Sequence, residues 1–194
     1  PDLARRDLPA ALDLAPAAGV DGFGQPLDLR ASNSWRQRLH EVDAIEMVEV
    51  QLINTVAPAL LTARLRPLLA RPRTSPRDAS FVVQVSAPEG RFYRHYKSPY
   101  HPHTNMAKAA LNMLTRTSAE DYAADAIYMN SVDTGWISNE NPRPIADAMD
   151  ARGFAPPLDL VDAAARVCDP IVRGLRDGER MWGLFLKDFR AISW

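Results

Sequence analysis

Stretches in which apolar residues recur at a fixed spacing alternate along this chain with stretches in which they do not. Through residues 1–36, Pro1, Pro9, Pro16 and Pro26 fall among short apolar pairs that keep neither a two-residue nor a 3.6-residue period, which predicts an irregular surface segment with at most one helical turn. From Glu41 the pattern becomes helical. Val42, Ile45, Val48, Leu52, Val56, Leu60 and Leu61 form one stripe, predicting an amphipathic helix to about Leu69, bent at Pro58 because proline lacks a backbone donor. A turn-rich connection over 71–80 leads to Phe81-Val-Val-Gln-Val85, a β-branched run that reads as a mostly buried strand ending at Ser86.

The stretch 90–102 is dense in aromatic and basic side chains without a period and reads as a loop. Residues 104–122 form the clearest helix, with Ala107, Ala110, Leu111 and Leu114 on one stripe and Thr104 or Asn105 as its cap. Residues 127–132 read as a second strand, with Asp133-Thr-Gly-Trp136 as the turn after it. Beyond lie a loop over 137–158 with a short helix near 145–149, and a helix over 158–173 capped by Asp159, with Val161, Ala164, Ala165 and Val167 against a sheet. Trp182-Gly-Leu-Phe-Leu186 is the last expected strand. Helix and strand alternating three times is the order of a parallel α/β sheet with right-handed crossovers. Two regions are expected, an irregular segment over 1–40 and an α/β unit over 41–194.

Composition narrows the function. The 194 residues are 46% apolar and carry 23 basic against 24 acidic side chains, a composition for one globular domain and one without the basic excess of a nucleic-acid binder. The single cysteine, Cys168, makes no internal disulfide and sits on the apolar side of its helix; with no secretory segment and no run of about 18 apolar residues, the expectation is a cytoplasmic chain outside the membrane. None of the nine glycines forms a complete phosphate-cradling loop. His101-Pro-His103 has a metal-capable spacing but lacks a nearby acidic or cysteine partner, so no metal site is expected. The run Arg64, Arg66, Arg71, Arg73 and Arg77 reads as a solvated helix end, and Ser86 lacks the glycine-flanked elbow of a serine hydrolase.

Four motifs carry more specific chemistry: Asn-Thr-Val-Ala-Pro58 with Asn54, Val-Ser-Ala-Pro-Glu-Gly90 at a strand end, Met-Ala-Lys-Ala-Ala-Leu111 opening a helix, and Asn-Ser-Val-Asp-Thr-Gly-Trp136 after the next strand. In this order they resemble the C-terminal half of the short-chain dehydrogenase/reductase superfamily over about 46–186, and most resemble an atypical subgroup with His-Thr-Asn-Met-Ala-Lys108 in place of Tyr-x-x-x-Lys. The resemblance implies the C-terminal portion of a Rossmann-like doubly wound parallel sheet. It also implies NAD or NADP as cofactor of the intact protein, and an oxidoreductase acting on an alcohol or carbonyl of a small molecule. The alternative is a catalytically inactive relative that binds a dinucleotide or a protein partner. The strand, glycine-rich turn and helix that hold the pyrophosphate in such proteins do not occur in the sequence, which starts at Pro1, so the chain is expected to be the C-terminal part of a longer one.

The resemblance also assigns residues. Lys108 occupies the position of the lysine that lowers the pKa of the family's tyrosine and holds the ribose hydroxyls. Thr104 stands where that tyrosine would be, and an aliphatic hydroxyl is far too weak an acid. Alignment on Gly90 puts Ala87 at the place of the carbonyl-polarising serine, leaving Ser86 as candidate through a shifted register. Asn54 matches the asparagine that anchors a proton-relay water. Tyr96, Tyr100, His101 and His103 are substitutes in the loop, Tyr100 being the candidate by its distance in sequence from Ser86. Catalytic candidates are thus Asn54, Ser86, Tyr100 and Lys108; cofactor-binding candidates are Lys108, Thr134, Gly135, Ser138 and Asn139, with Asp133-Thr134-Gly135 replacing the usual Pro-Gly. Lys108, Asn54 and Gly135 are expected to converge at the C-terminal ends of the strands. The helices at 42–69 and 104–122 are expected to pack on their copies in a homo-oligomer, since they carry more apolar positions than one stripe against a sheet needs.

Overall fold

A computed structural model describes residues 19–20, 27–71, 75, 78–92 and 96–194. Most of the irregular segment read over 1–36 lies outside the described residues, as do Arg73, Arg77 and His95. The first long helix spans Ala44–Leu69 in three pieces: α1 (Ala44–Gln51), a π-helical turn (Leu52–Val56) and α2 (Ala57–Leu69). Asp43 caps α1 by accepting the Ile45 N–H at 2.8 Å. The irregularity precedes Pro58 rather than centring on it, because Pro58 falls in the first turn of α2, where its missing N–H is tolerated.

The apolar stripe of this helix faces outward. Ile45, Val48, Leu52, Leu60 and Leu61 are each more than half exposed, and by length and composition alone the helix would suffice to cross a bilayer. Polar side chains fasten it to the sheet layer along its length. Gln51 Nε2 donates to the His103 carbonyl at 2.9 Å, Thr55 Oγ1 to the Ala107 carbonyl at 3.1 Å, and Gln84 Nε2 to Thr62 Oγ1 at 3.0 Å. Arg66 pairs with Asp121 and Asp125 and lies over the Tyr122 ring at 4.7 Å.

The sheet runs β1 (Ser80–Ser86), β2 (Ile127–Asp133), β3 (Phe185–Lys187) and β4 (Arg190–Ile192) in spatial order. The first three strands are parallel, with Ser86 opposite Asp133 at their C-terminal ends; β4 pairs antiparallel with β3. The strand expected over 182–186 therefore begins only at Phe185, as β3, and β4 is an addition to the sequence reading. The hairpin turns on Asp188 and Phe189, both at positive φ (46° and 64°). This is the hand of tight two-residue hairpins, normally signalled by asparagine or glycine, so neither residue announced it.

Helix α3 (Pro102–Ala124) crosses from β1 to β2. It starts two residues before the expected position, with Pro102 in its first turn and His101 at its N-cap, so neither Thr104 nor Asn105 caps it. Its buried face includes His103, Ala107, Leu111, Thr115, Ala119 and Tyr122, of which Ala119 and Tyr122 join Ile127 and Met129 in the core, with Leu69, Ala70 and Val82 around them. After a short helix α4 (Arg143–Asp150), α5 (Leu160–Arg176) begins with the expected Asp159 cap, which Asp162 completes as a reciprocal box. Its inner face is Ala163, Pro170 and Gly174, not Val161, Ala164 and Ala165, which are exposed. Small residues are needed there, since a β-carbon on Gly174 would lie 2.4 Å from the Phe81 ring. Cys168 is exposed on α5 rather than packed in the core.

One ion pair closes the strand ends. Asp133, 1% exposed, accepts from Lys187 Nζ at 2.6 Å and from the Gly135 N–H at 2.9 Å. Removing Lys187 leaves a buried carboxylate with one donor. We expect Lys187→Met to cost about 2–3 kcal/mol, and Lys187→Met with Asp133→Asn to cost less than Lys187→Met alone. Urea unfolding of the wild type and the two variants measures this, and a double variant no more stable than Lys187→Met would refute it.

Candidate functional site

The site is built where β1 and β2 end. After Ser86 the chain makes a 3-10 turn (Pro88–Gly90) and lies directly on α3: a β-carbon on Gly90 would be 2.6 Å from the Lys108 carbonyl group and 2.7 Å from Asn112 Nδ2. This close approach lets the Lys108 side chain reach back to the strand end, where Nζ donates to the Val85 carbonyl at 3.0 Å. Burial pushes the Lys108 pKa below its usual value, with the Glu89 carboxylate opposing the shift.

Asn54 lies in the π turn across from α3. Its Nδ2 is turned back onto the Val50 carbonyl at 3.2 Å, while its neighbour Thr55 bonds the carbonyl of Ala107, the residue before Lys108. Pro58 has no N–H to give to the Asn54 carbonyl, so this segment of helix is opened at the residue that the motif singles out. Gly135 follows the neighbouring strand end at φ 83°, and a β-carbon there would strike Leu158 at 2.4 Å. The Lys108 side chain thus reaches the end of β1 from α3, Gly135 follows the end of the adjacent β2, and the Asn54 turn contacts α3 one residue from Lys108.

The other candidates are placed differently. Ser86 is 3% exposed and its Oγ is enclosed without a hydrogen-bond partner among the described residues; Ala87 follows it in extended conformation. Tyr100 lies with its ring under the Arg36 guanidinium, 4.8 Å away. Thr134 is half-buried beside Gly135. The Ser138 hydroxyl donates to the Glu140 carboxylate, and the Asn139 amide binds Asn141 through Oδ1 at 2.8 Å and faces Met149 Sδ at 3.8 Å. Both side chains are spent within their own loop.

What the sequence reading underweighted is the end of the loop before α3. An open cleft at the start of α3 is lined by Glu89, Tyr96, Lys97, Ser98, His101 and Asn105. Lys97 Nζ donates to the Glu89 carbonyl and to Asn105 Oδ1, the latter at 3.0 Å. His101 stacks on Trp35 with ring centres 3.9 Å apart. Burial first, then the charges of His103 and Lys97, lower the His101 pKa to about 4. His103, 1% exposed, is likewise shifted down by burial, with Glu46 opposing. The segment carrying Trp35 spans both loops: the Arg143 N–H donates to the Asp28 carbonyl at 2.7 Å, Asn33 Nδ2 to the Glu140 carbonyl at 2.8 Å, and the His101 N–H to the Gln37 carbonyl at 2.9 Å.

Comparisons with known proteins agree with this geometry. The family described as enoyl-(acyl carrier protein) reductase matches residues 30–156, well over half of the chain. An uncharacterised protein of Acanthamoeba polyphaga mimivirus is 34% identical over 158 residues, which cover 78% of this chain and 32% of the relative. Among solved structures, the NADPH-bound carbonyl reductase from chicken fatty liver superimposes with a TM-score of 0.58 at 21% identity, over 85% of this chain and 64% of that one. The carbonyl reductase Sniffer of D. melanogaster does so with a TM-score of 0.62 at 19% identity, over 88% and 64%. The chain therefore spans about a third of the viral relative and just under two thirds of either reductase. With the motif order, the parallel sheet and the lysine at the strand end all in agreement, the chain belongs to the short-chain dehydrogenase/reductase superfamily, in the family that carries the enoyl-(acyl carrier protein) reductase description.

Proposed function

We propose that the intact protein is an NAD(P)-dependent oxidoreductase interconverting an alcohol and a carbonyl on a small molecule, and that this chain supplies its catalytic half. The observation that carries this reading is Lys108, a half-buried ammonium bound to the last carbonyl before Ser86, at the end of a parallel sheet where such folds take their ligands. The chicken reductase of similar fold is an NADPH complex, which supports the same cofactor class here.

The residues suit one end of a dinucleotide better than the other. Lys108 would hold ribose hydroxyls, and the bare backbone at Gly135, a position that excludes any side chain, suits the nicotinamide end. Ser138 and Asn139, bonded within their loop, do not present donors to a pyrophosphate in this arrangement. A bound nicotinamide supplies or accepts hydride. The work left to the chain is to orient the ribose through Lys108 and to polarise the substrate oxygen. Ser86 is enclosed and Thr104 is an aliphatic alcohol, so neither is the group that does this.

The apolar stripe supports a second part of the proposal, a symmetric homo-oligomer through the helices of 44–69 and 102–124. Val48, Leu52, Val56 and Leu60 on one helix and Met106 and Met113 on α3 are all exposed, a larger apolar surface than scattered single residues would make.

Titration of the intact protein with NADPH tests the first part. Lys108→Ala should weaken binding roughly tenfold or more, the loss of one charge-assisted hydrogen-bonding group, and Thr104→Ala should change it less than about twofold. A wild-type protein that binds neither NADPH nor NADH refutes the oxidoreductase reading. Sedimentation tests the second part: a dimer or tetramer is expected, reduced to monomer by Leu60→Glu, and a wild-type monomer throughout the micromolar range would exclude it.

A further inference from the structure

The cleft at the start of α3, with Asn105 on its wall one helical turn before Lys108, contains an imidazole that the family's Tyr-x-x-x-Lys motif lacks. His101 sits at φ 40°, in the left-handed region that a residue with a β-carbon occupies only when its surroundings hold it there. They hold it on three sides. Trp35 stacks on one ring face with 3° between the planes, the His101 N–H donates to the Gln37 carbonyl at 2.9 Å, and Asn105 Nδ2 donates to the His101 carbonyl at 3.0 Å and lies 3.3 Å from its Nδ1.

These contacts determine where the ring carries its proton. Asn105 Oδ1 accepts from Lys97 Nζ at 3.0 Å, and an ammonium can only donate. The amide must therefore turn its NH2 toward His101, where it meets a carbonyl oxygen and Nδ1. Nδ1 is then the accepting, unprotonated nitrogen, and the proton lies on Nε2. The Asn105 contact takes up Nδ1 and not Nε2, and His101 lines the cleft. With its pKa lowered to about 4, the ring is neutral at physiological pH and this tautomer is its resting form.

We propose that His101, fixed as the Nε2–H tautomer by Lys97 acting through Asn105, donates the hydrogen bond that polarises the substrate's carbonyl oxygen. The proposal rests on the oxidoreductase reading above and assigns to His101 the task that Ser86 and Thr104 are not placed or equipped to perform. His101 is a hydrogen-bond donor in this role and not a proton source, since a neutral imidazole that gave up its Nε2 proton would become an imidazolate. A neutral imidazole can act as an electrophile in this way because its N–H dipole is aimed in advance at the oxygen where charge develops. Lys97 and Asn105 are positioning residues, acting only through the ring.

Two measurements on the intact protein test this. In 15N spectra at neutral pH, protonated and bare ring nitrogens resonate far apart; we expect His101 with a protonated Nε2 and a bare Nδ1, and a mixture of tautomers in Asn105→Leu. In turnover of a panel of aromatic aldehydes and ketones with NADPH, His101→Phe, which keeps the stacking surface and loses the donor, should lower kcat roughly 100-fold with the KM for NADPH unchanged. His101→Gln, whose side-chain amide reaches a similar position, should recover at least about a tenth of wild-type kcat. A protonated Nδ1 in the wild type overturns the proposal, as does wild-type kcat in His101→Phe. Binding of NADPH without turnover of any probe overturns the role of His101 and leaves the dinucleotide reading standing. Failure to bind NADPH removes that reading and the role together, while the tautomer still reports whether the Lys97–Asn105 relay exists.

Discussion

The arrangement at the strand ends depends on how closely the turn after β1 approaches α3. Because Gly90 has no side chain, its backbone can lie against Lys108 and Asn112 where a single methyl group would collide. That contact brings α3 near enough to β1 for Lys108 to reach the Val85 carbonyl. It also sets the height of α3 relative to the long first helix, so that Gln51 and Thr55 meet the carbonyls of His103 and Ala107. Each of these bonds is worth only about 1 kcal/mol net, but they share one geometric condition and are made or lost together.

What the sequence allowed to be read, and what it hid, divides along the same physical line. β1, β2 and the body of α3 follow from local patterns, as does the Asp159 cap of α5, because a strand's β-branched run and a cap's short acidic side chain act on their immediate neighbours. The buried faces were less readable. On α5 the inner positions are Ala163, Pro170 and Gly174, selected for closeness to the Phe81 ring rather than for hydrophobicity, and no period of apolar residues reports that. The first helix shows the converse: its apolar stripe is real, but what lies across from it decides whether the stripe is covered. The Asp188–Phe189 turn carries neither residue that normally marks one.

At the site, the family resemblance singled out Lys108 and Asn54, which its motifs tie to positions on helices. The choice between Tyr100 and His101 could not be made that way. The two are adjacent in the chain, yet the left-handed conformation at His101 sends their rings apart, one beneath Arg36 and the other onto Trp35 at the cleft. The Lys97–Asn105–His101 relay joins a loop, a helix and a cap, so its members fall at intervals that match no repeat. Charge is handled with similar economy at the end of β2, where Asp133 is neutralised by Lys187 from the neighbouring strand.

The π turn at Leu52–Val56 has a consequence for how this protein can vary. A helix with a π turn holds one residue more than a regular helix of the same length would, and removing that residue is not a local event. Deleting any one residue between 52 and 56 would restore a regular helix but rotate everything before it by about 100°, the angle subtended by one residue. Gln51 would leave the His103 carbonyl and Glu46 would leave the His103 ring, from which it is now 4.0 Å away, while α2 kept its place on the sheet. Relatives that differ in length here are thus related by a turn of one half-helix about its own axis, and the surface α1 offers to a partner changes with the reading frame of the helix rather than with its composition.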